Sequence, residues 1–200
     1  IMMTNSGQSC NAPSRMLVPA AKMQEAAAIA AKVVESIVVG DPTAEGITMG
    51  PVVSDVQYNK IQALIQKGID EGATLVTGGV GKPEGLDSGY FVKPTIFADV
   101  SNDMTIAREE IFGPVLSVMT FRTPEEAIAR ANNSPYGLAA GVWTDKGSKI
   151  FEVAKQLDAG IIWCNTYNKF DAASPFGGFK ESGFGREGGM QGLRPYVRLQ

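Results

Sequence analysis

A chain of 200 residues with 44% hydrophobic and 20% charged content is composed like an ordinary globular protein, enough for one large domain or two small ones. Its formal net charge of -3 offers no electrostatic footing for nucleic acid or an anionic membrane surface as partner. Histidine is absent, which excludes a Cys-His or Ser-His-Asp hydrolase built from these residues alone and, with only two cysteines, argues against a zinc-type metal site.

Taken in order, the chain first presents Asn5-Ser6-Gly7-Gln8-Ser9-Cys10-Asn11. Cys10 is expected where a loop feeds a short helical turn, because a thiol at a helix N-terminus meets unpaired N–H groups that favour the nucleophilic thiolate. The alternative is a small buried hydrophobe, the commoner fate of a single cysteine. Arg15 to Val18 reads as a buried strand stopped by Pro19, and Met23, Ala27, Ala30, Val34 and Ile37 mark the inner face of an amphipathic helix from Ala20 to about Ile37. Ser54 caps a second helix, with Gln57 as the return partner of a capping box, Ile61, Leu64, Ile65 and Ile69 as its core face and Gly72 as its stop. Thr74 to Thr77 is a short strand, Gly78 to Gly89 a polar turn region, and Tyr90 to Val100 extended chain interrupted at Pro94. Strand Val115 to Phe121, helix Thr123 to Asn132, strand Leu138 to Thr144, helix Asp145 to Leu157 and strand Ile161 to Asn165 follow. This alternation predicts an α/β fold, a largely parallel open sheet flanked by helices. A glycine-rich excursion from Ser174 to Gly189, a short helix over 189–193 and a terminal strand from Tyr196 close the chain.

The longest uncharged apolar run, Ala26 to Ala31, is far too short to cross a bilayer, and two cysteines make no disulfide framework, so a cytoplasmic protein is expected. Ile1 is not an initiator methionine, which suggests a piece of a longer polypeptide.

Several motifs invite a chemical interpretation. Gly183-x-Gly185-x-x-Gly188 satisfies the dinucleotide fingerprint formally, but no strand precedes it and no long helix can follow. Gly81-Lys82 lacks the rest of a phosphate loop. Glu109-Glu110 is a solvated pair by default; alternatively, Glu110 accepts hydrogen bonds from ribose hydroxyls while Phe112 flanks a planar ligand. Phe170 and Phe176 either anchor their loop or wall a substrate pocket, with Lys169 and Asp171 as polar neighbours. Cys164, inside Ile161-Ile162-Trp163, is expected in the core.

Asn5-x-Gly7-Gln8-x-Cys10, Glu109-Glu110-Ile111-Phe112-Gly113-Pro114, Asn132 to Leu138 and Ser174-Pro175-Phe176-Gly177-Gly178-Phe179-Lys180-Glu181-Ser182-Gly183 together resemble the NAD(P)-dependent aldehyde dehydrogenase superfamily, in that family's order and across the whole chain. The resemblance implies that Cys10 is the nucleophile that attacks the aldehyde carbon to give a thiohemiacetal, then a thioester, with its own N–H in the oxyanion hole. It implies further that Glu110 binds the nicotinamide ribose, that Phe112 lies near that ring, and that Phe170 and Phe176 line the aldehyde channel. The implied cofactor is NAD or NADP, the implied partners are a small-molecule aldehyde and further copies of the subunit in a homodimer or homotetramer, and no metal, nucleic acid or membrane is implied.

The family's general-base glutamate, its oxyanion-hole asparagine and its nucleotide-binding domain have no counterpart here. The resemblance thus assigns residues 1–193 to the catalytic domain and residues 194–200 to the start of a truncated oligomerisation strand. The chain alone is expected not to turn over, because no hydride acceptor is held at reacting distance. The alternatives are a silent structural or interaction fragment, residual thiol esterase activity, and an acyl-transferring variant that uses coenzyme A.

Overall fold

The computed structural model describes residues 1–198 and divides into two compact units, Ile1–Thr123 and a second that begins at Pro124. The first unit comprises β1 (Arg15–Pro19), α1 (Met23–Glu35), α2 (Asp55–Asp70), β2 (Thr74–Thr77), β3 (Thr95–Ala98), α3 (Thr105–Arg108) and β4 (Val115–Phe121). The strands form one sheet in the order β1-β4-β3-β2. β4 is parallel to both neighbours, from Arg15 opposite Ser117 to Pro19 opposite Phe121 on one side and from Thr95 opposite Val115 on the other. Within this sheet only β2, one of its two edge strands, runs antiparallel to its neighbour.

Strand periodicity explains why both faces are covered. Successive residues of a strand point to opposite faces, and Phe97, Val115 and Met119 join Ile61, Leu64 and Ile65 of α2 in one core cluster. Ile96, Ala98 and Val118 join Met23, Ala27 and Val34 of α1 in another. β3 is accordingly buried on both sides: all four of its residues are buried, Ile96, Phe97 and Ala98 apolar and Thr95 polar. Ser54 caps α2, its Oγ accepting the Gln57 N–H at 3.2 Å. Gly72, at φ +88°, closes the helix as expected, its N–H donating to the Ile69 carbonyl at 3.0 Å and the Ala73 N–H to that of Gly68 at 3.0 Å.

The second unit contains α4 (Pro124–Asn132), β5 (Tyr136–Gly137), β6 (Ala139–Val142), α5 (Gly147–Ala154), β7 (Ile161–Cys164), β8 (Phe179–Lys180) and α6 (Gly189–Leu193). β6, α5 and β7 form the expected parallel unit, Ala139 to Val142 running beside Ile161 to Cys164, while β5 and β8 make a small antiparallel pair. The chain is α/β with mainly parallel strand pairing, as expected, but among the described residues the pairs are shared among one four-stranded and two two-stranded sheets.

Two local expectations change. Cys164 is half-buried rather than core, because Trp163 occupies the inward position of β7 and the next residue alternates outward. Arg194–Tyr196 form a 3-10 turn, favoured by Pro195, whose fixed φ suits the first turn of a helix and which has no N–H to contribute to a ladder. Val197 is extended but neither it nor Arg198 lies in a strand, and the last two residues of the expected terminal strand lie outside the described residues. Among the described residues no helix is long and apolar enough to cross a membrane.

Candidate active site

The loop that carries Cys10 is built on an unusual backbone. Asn5, Ser6 and Gly7 are consecutively left-handed, at φ +54°, +55° and +71°, a conformation that costs roughly 1–2 kcal/mol for each residue bearing a Cβ. Surrounding contacts hold it there. Asn5 Nδ2 donates to the Gln8 carbonyl at 2.9 Å, buried Ser6 Oγ donates to the Gly50 carbonyl at 2.8 Å, and Gln8 Oε1 accepts the Val53 N–H at 2.9 Å. Gly7 is required twice over, by its positive φ and because a Cβ there would collide with the Gly113 carbonyl.

Cys10 itself lies second in a β-turn closed by the Ala12 N–H on the Ser9 carbonyl at 2.9 Å. The helical turn expected to start at the cysteine is not there; a turn built from the left-handed residues Asn5, Ser6 and Gly7 precedes it instead. Pro13 accounts for the difference, since it disfavours the helical region for Ala12 and sends the chain toward β1. A helix dipole therefore does not activate this sulfur. The buried alternative fails as well, because Cys10 is exposed. Its backbone N–H has no acceptor among the described residues.

The Glu109-Glu110 loop is pinned against the same region. Phe112 is left-handed at φ +54°, and two side chains donate three hydrogen bonds to the carbonyl groups around it. Gln57 Nε2 donates to Ile111 O at 3.1 Å and Phe112 O at 2.7 Å, and Lys60 Nζ donates to Glu110 O at 2.7 Å. The capping-box return expected of Gln57 is thus replaced by a long-range clamp. Gly113 leaves no room for a side chain over Ile61, which forms the floor of the loop. Through the contact of Gly7 with Gly113, the first unit sets the Cys10 loop beside the Glu110–Phe112 loop. Glu110 is exposed, its carboxylate has no protein partner among the described residues, and Phe112 beside it is half-buried. A free carboxylate next to an aromatic ring fits a sugar diol attached to a planar heterocycle.

The second unit brings Phe170 and Phe176 together, ring centroids 5.1 Å apart in an edge-to-face arrangement. Trp163 packs edge-on against Phe170 at 5.5 Å, and its Nε1 donates to the Lys169 carbonyl at 2.8 Å. Phe176 exchanges both backbone hydrogen bonds with Glu187, each 2.7 Å. Arg186 Nη1 donates to the carbonyls of Gly178, Phe184 and Gly185. The glycine-rich excursion is accordingly a compact loop, and α6 after it has 5 residues, as the rejection of a dinucleotide fingerprint requires. Burial pushes the Tyr167 phenol up to about 12, which keeps it protonated near neutral pH. The Asp171 carboxylate accepts the Ala173 N–H at 2.7 Å, so it serves its own turn.

The sequence points to Cys10, Glu110, Phe112, Phe170 and Phe176 but not to Ser6, Gly7, Gln57, Lys60 and Gly113 as supports of the first three. Gly7 and Gly113, inside the two motifs, were the available signal: a glycine beside a candidate group marks close backbone approach.

Residues 1–200 match the model of the Aldehyde dehydrogenase family. The chain is similar to a 3-succinoylsemialdehyde-pyridine dehydrogenase of a Pseudomonas species, 48% identical over 199 residues that make up 100% of this chain and 42% of that protein. It is similar in structure to the Mycobacterium tuberculosis aldehyde dehydrogenase complexed with NAD+, with a TM-score of 0.94 and 46% identity over 98% of this chain and 40% of that one. It is likewise similar to a mutant of aldehyde dehydrogenase C from Pseudomonas syringae in complex with NAD+ and octanal, with a TM-score of 0.94 and 43% identity over 98% and 40% of the two chains. The chain spans about 40% of the length of the curated relatives it matches. With the family match running along its whole sequence, the chain belongs to the aldehyde dehydrogenase family.

Proposed function

We propose that the full natural polypeptide carrying this sequence oxidises an aldehyde to a carboxylic acid with NAD+ or NADP+, using Cys10 as its nucleophile. The observation that carries this is the exposed thiol on a turn pinned through Ser6, Gly7 and Gln8 beside a loop whose Glu110 carboxylate is unpartnered. The Cys10 thiolate adds to the carbonyl carbon, a C–S bond forms, and the carbonyl electron pair moves to oxygen, where the free Cys10 N–H stabilises it. Bound NAD(P)+ would accept the hydride as the thiohemiacetal becomes a thioester. Water then cleaves the C–S bond, releasing the acid and regenerating the thiol. Glu110 would hold the ribose diol and Phe112 would flank the nicotinamide. Phe170 and Phe176 are proposed to contact the apolar part of the aldehyde; their edge-to-face packing supports an aromatic surface for it.

Residues 1–193 are proposed to serve as the catalytic portion, and the chain beyond them to lead toward subunit pairing in a homodimer or homotetramer. The cytoplasm is the proposed compartment, in keeping with two cysteines that are both free thiols. The test is Cys10→Ser in the full natural polypeptide, with NADH or NADPH formation followed optically and acylated Cys10 sought by mass spectrometry after rapid quenching. Aldehyde-dependent reduction of the cofactor should vanish together with the acyl adduct. A serine variant that retains the wild-type rate would remove Cys10 from the chemistry.

A further inference from the structure

We propose that Gln57 is a positioning residue whose side-chain amide holds the Glu110–Phe112 loop in the conformation that receives the cofactor's ribose. The inference rests on the assignment of Glu110 to that ribose.

A glutamine three residues after a serine cap ordinarily folds back on the cap's N–H. Here Ser54 makes its half of the box with the Gln57 N–H, but the Gln57 side chain leaves the helix terminus and spans 54 and 55 residues of sequence to the carbonyls of Ile111 and Phe112. The two carbonyls flank a left-handed Phe112, and a left-handed aromatic residue persists only where its surroundings over-determine it. Gln57 supplies two of those constraints with one rigid amide group, which carries two N–H donors and so can serve both oxygens. Four residues before Gln57, the same terminus reaches the loop that carries Cys10: the Val53 N–H donates to Gln8 Oε1 at 2.9 Å. The start of α2 and the residue before its cap are therefore hydrogen-bonded to both loops. The Gln57 side chain abandons local capping geometry to do so, as expected where function overrides a local rule.

Gln57→Glu separates this role from a merely structural one. Glutamate is the better capping-box partner and should hold the helix terminus at least as well, but its carboxylate cannot donate to the two carbonyls. Gln57→Met keeps the length and removes both donors. In the full natural polypeptide, both variants should weaken NAD+ binding about tenfold, the order expected when hydrogen bonds holding one loop conformation are lost. The turnover rate at saturating cofactor should fall less than the affinity does, and the melting temperature of the glutamate variant should stay within about 2 °C of wild type, a shift equivalent to less than 1 kcal/mol. Amide hydrogen exchange over residues 110–113 should speed up in both variants without cofactor present.

Unchanged NAD+ affinity and unchanged exchange in Gln57→Glu would overturn the proposal. So would a lowered melting temperature with unchanged affinity, since that is a structural role alone. If Glu110→Ala leaves NAD+ affinity unaltered, the ribose assignment fails and takes the proposal with it. The cofactor-free exchange measurement shows which of the two has failed.

Discussion

The two units hold their candidate site residues by different physical means. In the first, Cys10 and Glu110 ride on loops fixed through backbone groups: left-handed residues, carbonyls met by Gln57 and Lys60, and glycines pressed together. Beneath them lie two apolar clusters on opposite faces of the sheet. In the second, the Phe170 and Phe176 side chains are held through ring packing that runs back to Trp163, with backbone bonds to Glu187 fixing only the main chain of Phe176, and among the described residues Trp163 and Tyr167 are its buried larger apolar residues. The contrast matches the roles proposed for these groups. A nucleophile and a hydrogen-bond acceptor act over a narrow range of distance and angle, which directional backbone bonds can specify. An apolar surface that contacts a substrate body needs area more than angle, and ring packing supplies it.

The sharpest way to break this comparison is at the floor of the first unit. Ile61, fully buried beneath Gly113, should lose about 4 kcal/mol of unfolding free energy on replacement by alanine, measured by denaturant titration, with NAD+ affinity falling in parallel. If stability falls and the cofactor site is unaffected, the loop does not depend on that floor.

Next in size is a pair of glycines. Gly7→Ala combines a positive φ with collision on the Gly113 carbonyl and should cost about 3 kcal/mol and most of the activity. Gly183→Ala has φ +84° but nothing within 4 Å, so it should cost only about 1 kcal/mol. Equal losses at the two positions would mean that backbone strain alone, and not close packing of the two loops, sets the requirement for glycine.

Phe170→Ala should change stability by about 1 kcal/mol, the worth of its ring pairs. Its main effect should be a raised KM for apolar aldehydes, with the KM for NAD+ unaltered. A shift in cofactor KM instead would place this ring outside the substrate's reach.

The smallest effect concerns pH. Hydrogen bonds from the Thr105 side chain and N–H hold the Glu71 carboxyl below its ordinary value, with Lys67 adding to them. A depressed folded-state value means that the stabilisation is present above the unfolded-state value near 4.5 and is lost as pH falls through the lower folded one. Glu71→Gln should therefore flatten the acid limb of the melting curve slightly while leaving neutral-pH activity intact. An unaltered acid limb would remove Glu71 from the clamp between α2 and α3.

Much of this molecule is legible without coordinates because its signals are local. The strands at Thr74 to Thr77 and Val115 to Phe121 are where β-propensity and flanking turns put them, and the inner faces of α1 and α2 match their apolar spacing. The misjudged points are those where a distant partner overrode a local preference. Pro13 and the contacts of Ser6 and Gly7 turned an anticipated helix start at Cys10 into a β-turn. Gln57 forsook its cap for carbonyls more than fifty residues away. Cys164 gave the inward position to Trp163, whose indole N–H also found a partner.

The amino-acid sequence by itself determined the α/β class, the position of the longer elements though not of α3, β5 and β8, and the identity of the candidate nucleophile, because propensity, periodicity and motif order are properties of neighbouring residues. Only the tertiary structure decided which side chains hold that nucleophile and the carboxylate loop in place. Those supports act across gaps of more than forty residues, and a hydrogen bond between distant carbonyls and amides leaves no periodic trace along the chain.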